Sequence, residues 1–295
     1  MGRKRGVEGL ITALLTPFDA SGRVSERALI ELVHFQLESG CQGLYPCGTT
    51  GLGPLLQAEE RKRVAEVVVR EAAGRVPVIV QVGSADTSST VELARHAEKV
   101  GADAVASLTP YYYRPGDNAV VSHFEKICNS ISIPLFAYNI PQFTGNNLRP
   151  SLVAGMARKG TIKGIKDSSR DFLQLLDIIQ GSPEGFTVVN GTEEYALYGL
   201  MAGTAGQVSG KANAFPELLR SLVAAFNSED YESALEAQRL VTEVRNLLGE
   251  RAISSYYEVL KQRGIDCGKP RGPFLPLDKA EQKRIKAGLT KLGLP

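Results

Sequence analysis

The chain is poor in the residues that most often mark a metal or redox centre. It has three histidines and four cysteines in 295 residues. His34, His96 and His123 all fall inside helix-like runs. None lies at a strand end and no two have ligand spacing, whereas a metal-dependent site brings histidines and carboxylates to one cavity. No metal and no cofactor is expected. Cys41, Cys47, Cys128 and Cys267 form neither a paired metal motif nor a disulfide framework. They read as small core hydrophobes, with Cys47, beside Gly48-Thr49-Thr50, a candidate for a site wall.

Charge of one sign is also scarce: the formal net charge is +2. No basic stripe alternates with aromatics, so no nucleic-acid partner is expected. No stretch approaches the ~20 apolar residues of a membrane span. The opening Met1-Gly2-Arg3-Lys4-Arg5 is basic, has no apolar run of signal-peptide length, and lacks the Ser or Thr at position 6 of a myristoylation pattern. The expected address is the cytoplasm, with no membrane partner.

What the chain does have is a regular alternation. Its length can bury one large core. Short apolar or β-branched runs recur at 9–15, 42–46, 77–82, 103–108, 133–138, 162–166, 186–190 and 205–208. Helical patterns lie between them. Ser25 reads as an N-cap ahead of a face of Ala28, Leu29, Leu32, Val33 and Leu37, with Gly40 as the stop. Further helices are expected at 58–73, 87–100, 117–130, 149–159, 170–180 and 193–202, with Glu193-Glu194 in a first helical turn. The pattern predicts an α/β fold, a (β/α)8 TIM barrel over residues 1–214 with a C-terminal helical extension over 215–295. In the extension, Leu235, Leu240, Val244, Leu247 and Leu248 are expected to form the buried stripe, and the whole reads as a packing or oligomer surface.

In such a barrel, functional residues gather at the C-terminal strand ends. Here those ends carry Cys47-Gly48-Thr49-Thr50-Gly51, Tyr111-Tyr112-Tyr113-Arg114, Tyr138-Asn139-Ile140-Pro141, Lys166-Asp167-Ser168, Asn190-Gly191-Thr192-Glu193 and Gly206-Gln207-Val208-Ser209-Gly210. Period-2 alternation puts Ile162, Gly164 and Lys166 on one face, pointing inward, and Gly164 leaves room for a ligand. A lysine amine taken out of water is a free amine in part at neutral pH and can attack a keto group to form a Schiff base. Gly48 to Gly51 reads as an anion nest: glycines free the backbone, and successive N–H groups with two hydroxyls can hold a carboxylate. An ordinary βα turn is the alternative reading. The glycines between 48 and 53 are out of order for a dinucleotide loop, and Gly206 to Lys211 is one residue short of a phosphate loop.

Gly48-Thr49-Thr50-Gly51, Tyr138-Asn139-Ile140-Pro141 and Gly164-Ile165-Lys166-Asp167, in that order, resemble the pyruvate-dependent class I aldolase family of dihydrodipicolinate synthase, N-acetylneuraminate lyase and 2-keto-3-deoxygluconate aldolase. The resemblance implies that Lys166 is the Schiff-base lysine and Tyr138 the general acid/base. It implies that Thr49 passes protons from Tyr138 and that Tyr112 completes the relay in a neighbouring subunit of a homotetramer. Thr50 and the Gly48 nest would hold the carboxylate of pyruvate, and Gly191 and Val208 would line its pocket.

The same resemblance bears on the aldehyde partner. Leu52-Gly53-Pro54 is similar to the turn of archaeal-type 2-keto-3-deoxygluconate aldolases. The synthases place an arginine two residues after the Pro of Tyr-Asn-x-Pro to grip aspartate semialdehyde, and here that residue is Phe143. Arg114 is a candidate substitute. Tyr113, Ser168, Asn190, Thr192 and Ser209 are candidate partners for a hydroxyl-rich aldehyde. The leading expectation is reversible aldol cleavage of a 2-keto-3-deoxy sugar acid to pyruvate and an aldehyde. The rivals are a dihydrodipicolinate synthase, a 4-hydroxy-2-oxoglutarate or related aldolase, and a non-catalytic barrel that binds a 2-keto acid.

Overall fold

The structure, a computed structural model, describes residues 6–295, so the basic opening segment falls outside the described residues. Its strands are β1 (Gly9–Ala13), β2 (Gly43–Tyr45), β3 (Ile79–Gln81), β4 (Ala104–Leu108), β5 (Leu135–Asn139), β6 (Gly164–Asp167), β7 (Thr187–Asn190) and β8 (Gly206–Ser209). All pair in parallel, in the order β2-β1-β8-β7-β6-β5-β4-β3. A parallel bridge between Leu44 and Val78 closes the ring. Each expected strand is present, its limits shifted by one or two residues.

The helices around the ring are α1 (Glu26–Glu38), α2 (Ala58–Ala72), α3 (Thr87–Lys99), α4 (Asp117–Cys128), α5 (Pro141–Thr144), α6 (Pro150–Arg158), α7 (Phe172–Gly181), α8 (Ala196–Met201) and α9 (Pro216–Asn227). Beyond them lie α10 (Tyr231–Leu248), α11 (Ala252–Gln262) and α12 (Lys279–Lys291). None is long and apolar enough to cross a membrane. The Ser25 hydroxyl caps α1 by accepting from the Ala28 N–H.

Two apolar layers follow from the strand period. An inner cluster of Ile11, Tyr45, Phe136, Tyr138, Val189 and Val208 fills the barrel, and a larger outer cluster seals strands to helices. Ile162 belongs to the outer cluster, with Ile165. It precedes β6, where the alternation has not begun, so it does not share a face with Lys166. Nor does Gly164 open space for a ligand. A Cβ there would lie 2.3 Å from the Phe136 ring and 2.5 Å from the Thr187 carbonyl oxygen, so the aromatic ring uses that space.

The extension differs from expectation in two ways. Helix α9 buries Leu218, Leu219, Leu222 and Val223 and packs on β1 and α8. It completes the eighth β–α unit, so the barrel runs to Asn227 rather than 214. In α10 the buried positions are Ala234, Gln238, Val241, Val244 and Leu248, with Leu235, Leu240 and Leu247 only half-buried. The stripe is rotated because Gln238 is drawn inward: it accepts from the Leu197 N–H and donates to the Glu193 carbonyl.

Candidate active site

A cavity of about 630 Å³ opens at the C-terminal end of the strands. Lys166 reaches it from β6, where it is the register partner of Tyr138 on β5 and Val189 on β7. Its side chain is only 5% exposed. The amine lies 4.1 Å from the centroid of the Tyr138 ring and 4.6 Å from that of Tyr45. The two rings meet edge to face, with centroids 5.9 Å apart. Among the described residues the Tyr45 hydroxyl has no partner, and burial pushes its pKa well above the phenol value, so Tyr45 remains a neutral platform.

The Tyr138 hydroxyl and the Thr49 hydroxyl are 3.1 Å apart. Thr49 and Thr50 line the cavity on the turn after β2. That turn is held by close backbone packing: a Cβ on Gly53 would lie 1.8 Å from the Cys47 carbonyl oxygen, and one on Gly51 would lie 2.6 Å from that of Leu14. Cys47 and Leu52 take positive φ. Among the described residues, the N–H groups of Thr49 and Thr50 donate to nothing. Two such N–H groups beside two threonine hydroxyls can accept a small anion. The Cys47 thiol itself is buried in the outer cluster, and burial pushes its pKa up to about 11, so it is an inert core group.

The strand ends around Lys166 are locked together. Asn139 donates to the carboxylate of Asp167 at 2.8 Å and accepts from the Leu148 N–H. Burial raises the Asp167 pKa against the opposing pull of Ser169 and Asn139. Gly191 lies across from the lysine stem. A Cβ there would meet the Ser168 hydroxyl at 1.9 Å and Lys166 Cε at 2.9 Å, so only glycine lets the stem pass.

The structure thus brings Lys166, Tyr138, Thr49, Thr50, Ser168, Gly191 and Val208 to one cavity. Other expected residues, Tyr113 among them, do not line it. Gly48 packs behind it, against the Tyr45 ring. Ser209 is fully buried and donates its hydroxyl to Glu193, so it has none to offer a ligand. Asn190 is likewise spent on its own turn, through the Thr192 carbonyl and N–H. Arg114 is exposed, beside Gly145. Tyr112 is 86% exposed, at a φ of 78°, with its ring against that of Tyr113.

Sequence reasoning missed several wall residues. Glu193 and Lys211 form a buried ion pair, extended by the Lys211 N–H to Glu193 at 2.9 Å. Burial pushes the Glu193 carboxyl up, but Lys211 and Ser209 outweigh it and hold the group below the usual range. The extension supplies a whole wall, through Arg245, Leu248, Glu250, Ile253 and Tyr256. Helical periodicity gives no hint that the α10–α11 junction folds back over the barrel mouth.

A buried lysine beside a tyrosine–threonine hydrogen bond at the mouth of a (β/α)8 barrel suits Schiff-base chemistry, and comparison with known proteins places the chain in a family of lyases. The profile of the dihydrodipicolinate synthetase family matches residues 6–292. An uncharacterised DapA-like lyase of Halobacterium salinarum is 36% identical over 99% of this chain and 96% of its own. The 4-hydroxy-tetrahydrodipicolinate synthase of Bartonella bacilliformis is 36% identical over 98% of this chain and 99% of its own. Among solved structures, YagE, a prophage protein of that family from E. coli K12 in complex with pyruvate, superposes with a TM-score of 0.94. It is 27% identical, over 98% of this chain and 99% of its own. The chain belongs to the dihydrodipicolinate synthetase family. It is a class I, Schiff-base-forming lyase of the pyruvate-dependent aldolase superfamily.

Proposed function

We propose that the protein catalyses the reversible aldol cleavage of a 2-keto-3-deoxy sugar acid to pyruvate and an aldehyde, with Lys166 as the Schiff-base lysine. The observation that carries this reading is the placement of the Lys166 amine over the Tyr138 ring, with the Tyr138 hydroxyl bonded to Thr49 beside the Thr50 nest. The Lys166 amine adds to the C2 carbonyl, and the carbinolamine loses water to give an iminium. The 4-hydroxyl gives its proton to the Tyr138–Thr49 relay, the C3–C4 bond breaks, and its electron pair forms the enamine. Protonation at C3 and hydrolysis release pyruvate and restore the amine.

A phenol is a weak base alone, so the relay needs a third member. Tyr112 takes that role from a neighbouring subunit of a homotetramer. Its ring is 86% exposed on its own chain, which supports that reading. The YagE complex with pyruvate supports the 2-keto acid half of the reaction.

Phe143 supports the sugar-acid half. It lines the cavity where the synthases carry an arginine, which removes a charge-assisted contact to aspartate semialdehyde. The 36% identity to the Bartonella synthase favours the second reading, condensation of pyruvate with aspartate semialdehyde. An aldehyde panel with pyruvate separates the two. Condensation with glyceraldehyde supports the proposal; a strong preference for aspartate semialdehyde over glyceraldehyde and its phosphate sinks it.

A further inference from the structure

Four cations line the cavity: Lys166, Arg170, Lys211 and Arg245. Lys211 is neutralised by Glu193, with Glu194 at 3.6 Å, and Arg245 by Glu194 at 3.2 Å. Lys166 is the nucleophile of the proposed reaction. Among the described residues, the Arg170 guanidinium has neither a carboxylate within ion-pair range nor a hydrogen bond. Glu250, at the α10–α11 junction, is a further charge on the wall with no ion pair among the described residues.

Arg170 is also strained, with a φ of 63°. The turn leaves it no choice. The Ser169 hydroxyl bonds Asp167 at 2.6 Å and accepts from the Asp171 N–H, while the Asp171 carboxylate caps α7. Glycine would sit there without strain, and asparagine with little. A long cation at such a position is a costly choice unless its head group is used.

Its place in the mouth indicates the use. Gln142 donates to the Ser168 carbonyl at 2.9 Å, tying the turn after β6 to the short helix α5 that carries Phe143. Arg170 and Phe143 therefore share one sector of the cavity. We infer that Arg170, on the turn after β6, presents its guanidinium to the mouth and receives an oxyanion at the distal end of the aldehyde fragment. The inference rests on the aldolase reading above and narrows its substrate class to aldehydes that bear a phosphate ester or a carboxylate. Such a contact is bidentate and charge-assisted.

The test measures kcat/KM for condensation of pyruvate with glyceraldehyde, glyceraldehyde 3-phosphate and succinic semialdehyde. It uses the wild type and the Arg170→Gln, Arg170→Lys and Arg170→Gly variants. The expected preference of the wild type for one charged aldehyde over glyceraldehyde is about 10- to 100-fold. The two charged aldehydes decide between phosphate and carboxylate. The preference should collapse in Arg170→Gln, survive in part in Arg170→Lys, and weaken with salt in the wild type. Arg170→Gly should lose the preference while gaining thermal stability, which separates recognition from folding. An equal preference in wild type and Arg170→Gln overturns the inference and leaves the pyruvate chemistry standing. Failure to condense pyruvate with any aldehyde, in a protein whose lysine is trapped by pyruvate and borohydride, overturns the aldolase reading and this inference with it.

Discussion

Tyr138 and Lys166 are register partners on adjacent parallel strands, and the amine of one lies 4.1 Å from the ring centroid of the other. Strand pairing thus fixes the distance between the proposed nucleophile and the proposed proton carrier. The amine and the phenol are set by the strands of the barrel, while much of the outer wall of the cavity comes from turns and from the extension.

Removal of the amine should end the chemistry and spare the fold. Lys166→Met keeps much of the volume of a side chain that is 5% exposed. We expect loss of turnover and of pyruvate trapping, with a circular dichroism spectrum and melting temperature close to the wild type.

Tyr138→Phe should separate the two halves of the mechanism. The ring under the amine stays and the hydroxyl bonded to Thr49 at 3.1 Å goes. Imine formation should survive in large part, while kcat falls by about 10²- to 10⁴-fold, the range of lost acid–base catalysis. Single-turnover trapping alongside steady-state kinetics reads both.

Gly191→Ala should slow catalysis through steric contact. The added methyl would meet the Ser168 hydroxyl at 1.9 Å and Lys166 Cε at 2.9 Å. Ser168→Ala in the same chain removes the first clash. The double variant is expected to recover part of the kcat/KM lost by Gly191→Ala alone, a non-additivity that a double-mutant cycle measures.

Stability should fall in mild acid because of His123, which is buried against Thr87 and Ser107 with a pKa pushed down to about 4, mainly by burial. Between pH 6.5 and 4 the unfolded chain binds a proton there that the folded chain does not, so stability is complete above 6.5 and declines as pH falls. The full loss is about 3 kcal/mol from this one shift. Asp19 and Asp86 lose their contributions lower, between 3.8 and about 2. Chemical denaturation at pH 7, 5.5 and 4.5 should show the slope in the wild type and a shallower one in His123→Gln.

The strands and the barrel were legible in the sequence because each β-run is short, apolar and bounded by turn residues, and parallel strands buried on both faces read that way. The position of Lys166 and Tyr138 at the barrel mouth is legible for a related reason, since both fall at the C-terminal end of a strand. Ile162 was misplaced because a face is defined only within the hydrogen-bonded strand. The room attributed to Gly164 belongs to Phe136, a neighbour distant in sequence that no local pattern names. Ser209 lost its expected part to Glu193, and the α10 stripe turned to bury Gln238, both through contacts between separate elements. Arg170 escaped notice because a single cation before a helix cap is ordinary until its backbone angle and its lack of a partner are known.

Incubation with pyruvate and borohydride, followed by peptide mass spectrometry, tests the central claim most directly. The account predicts one reduced adduct per chain, on the peptide that contains Lys166, and none in Lys166→Met. An adduct on another lysine, or an unmodified chain under conditions that trap a related lyase, would contradict it.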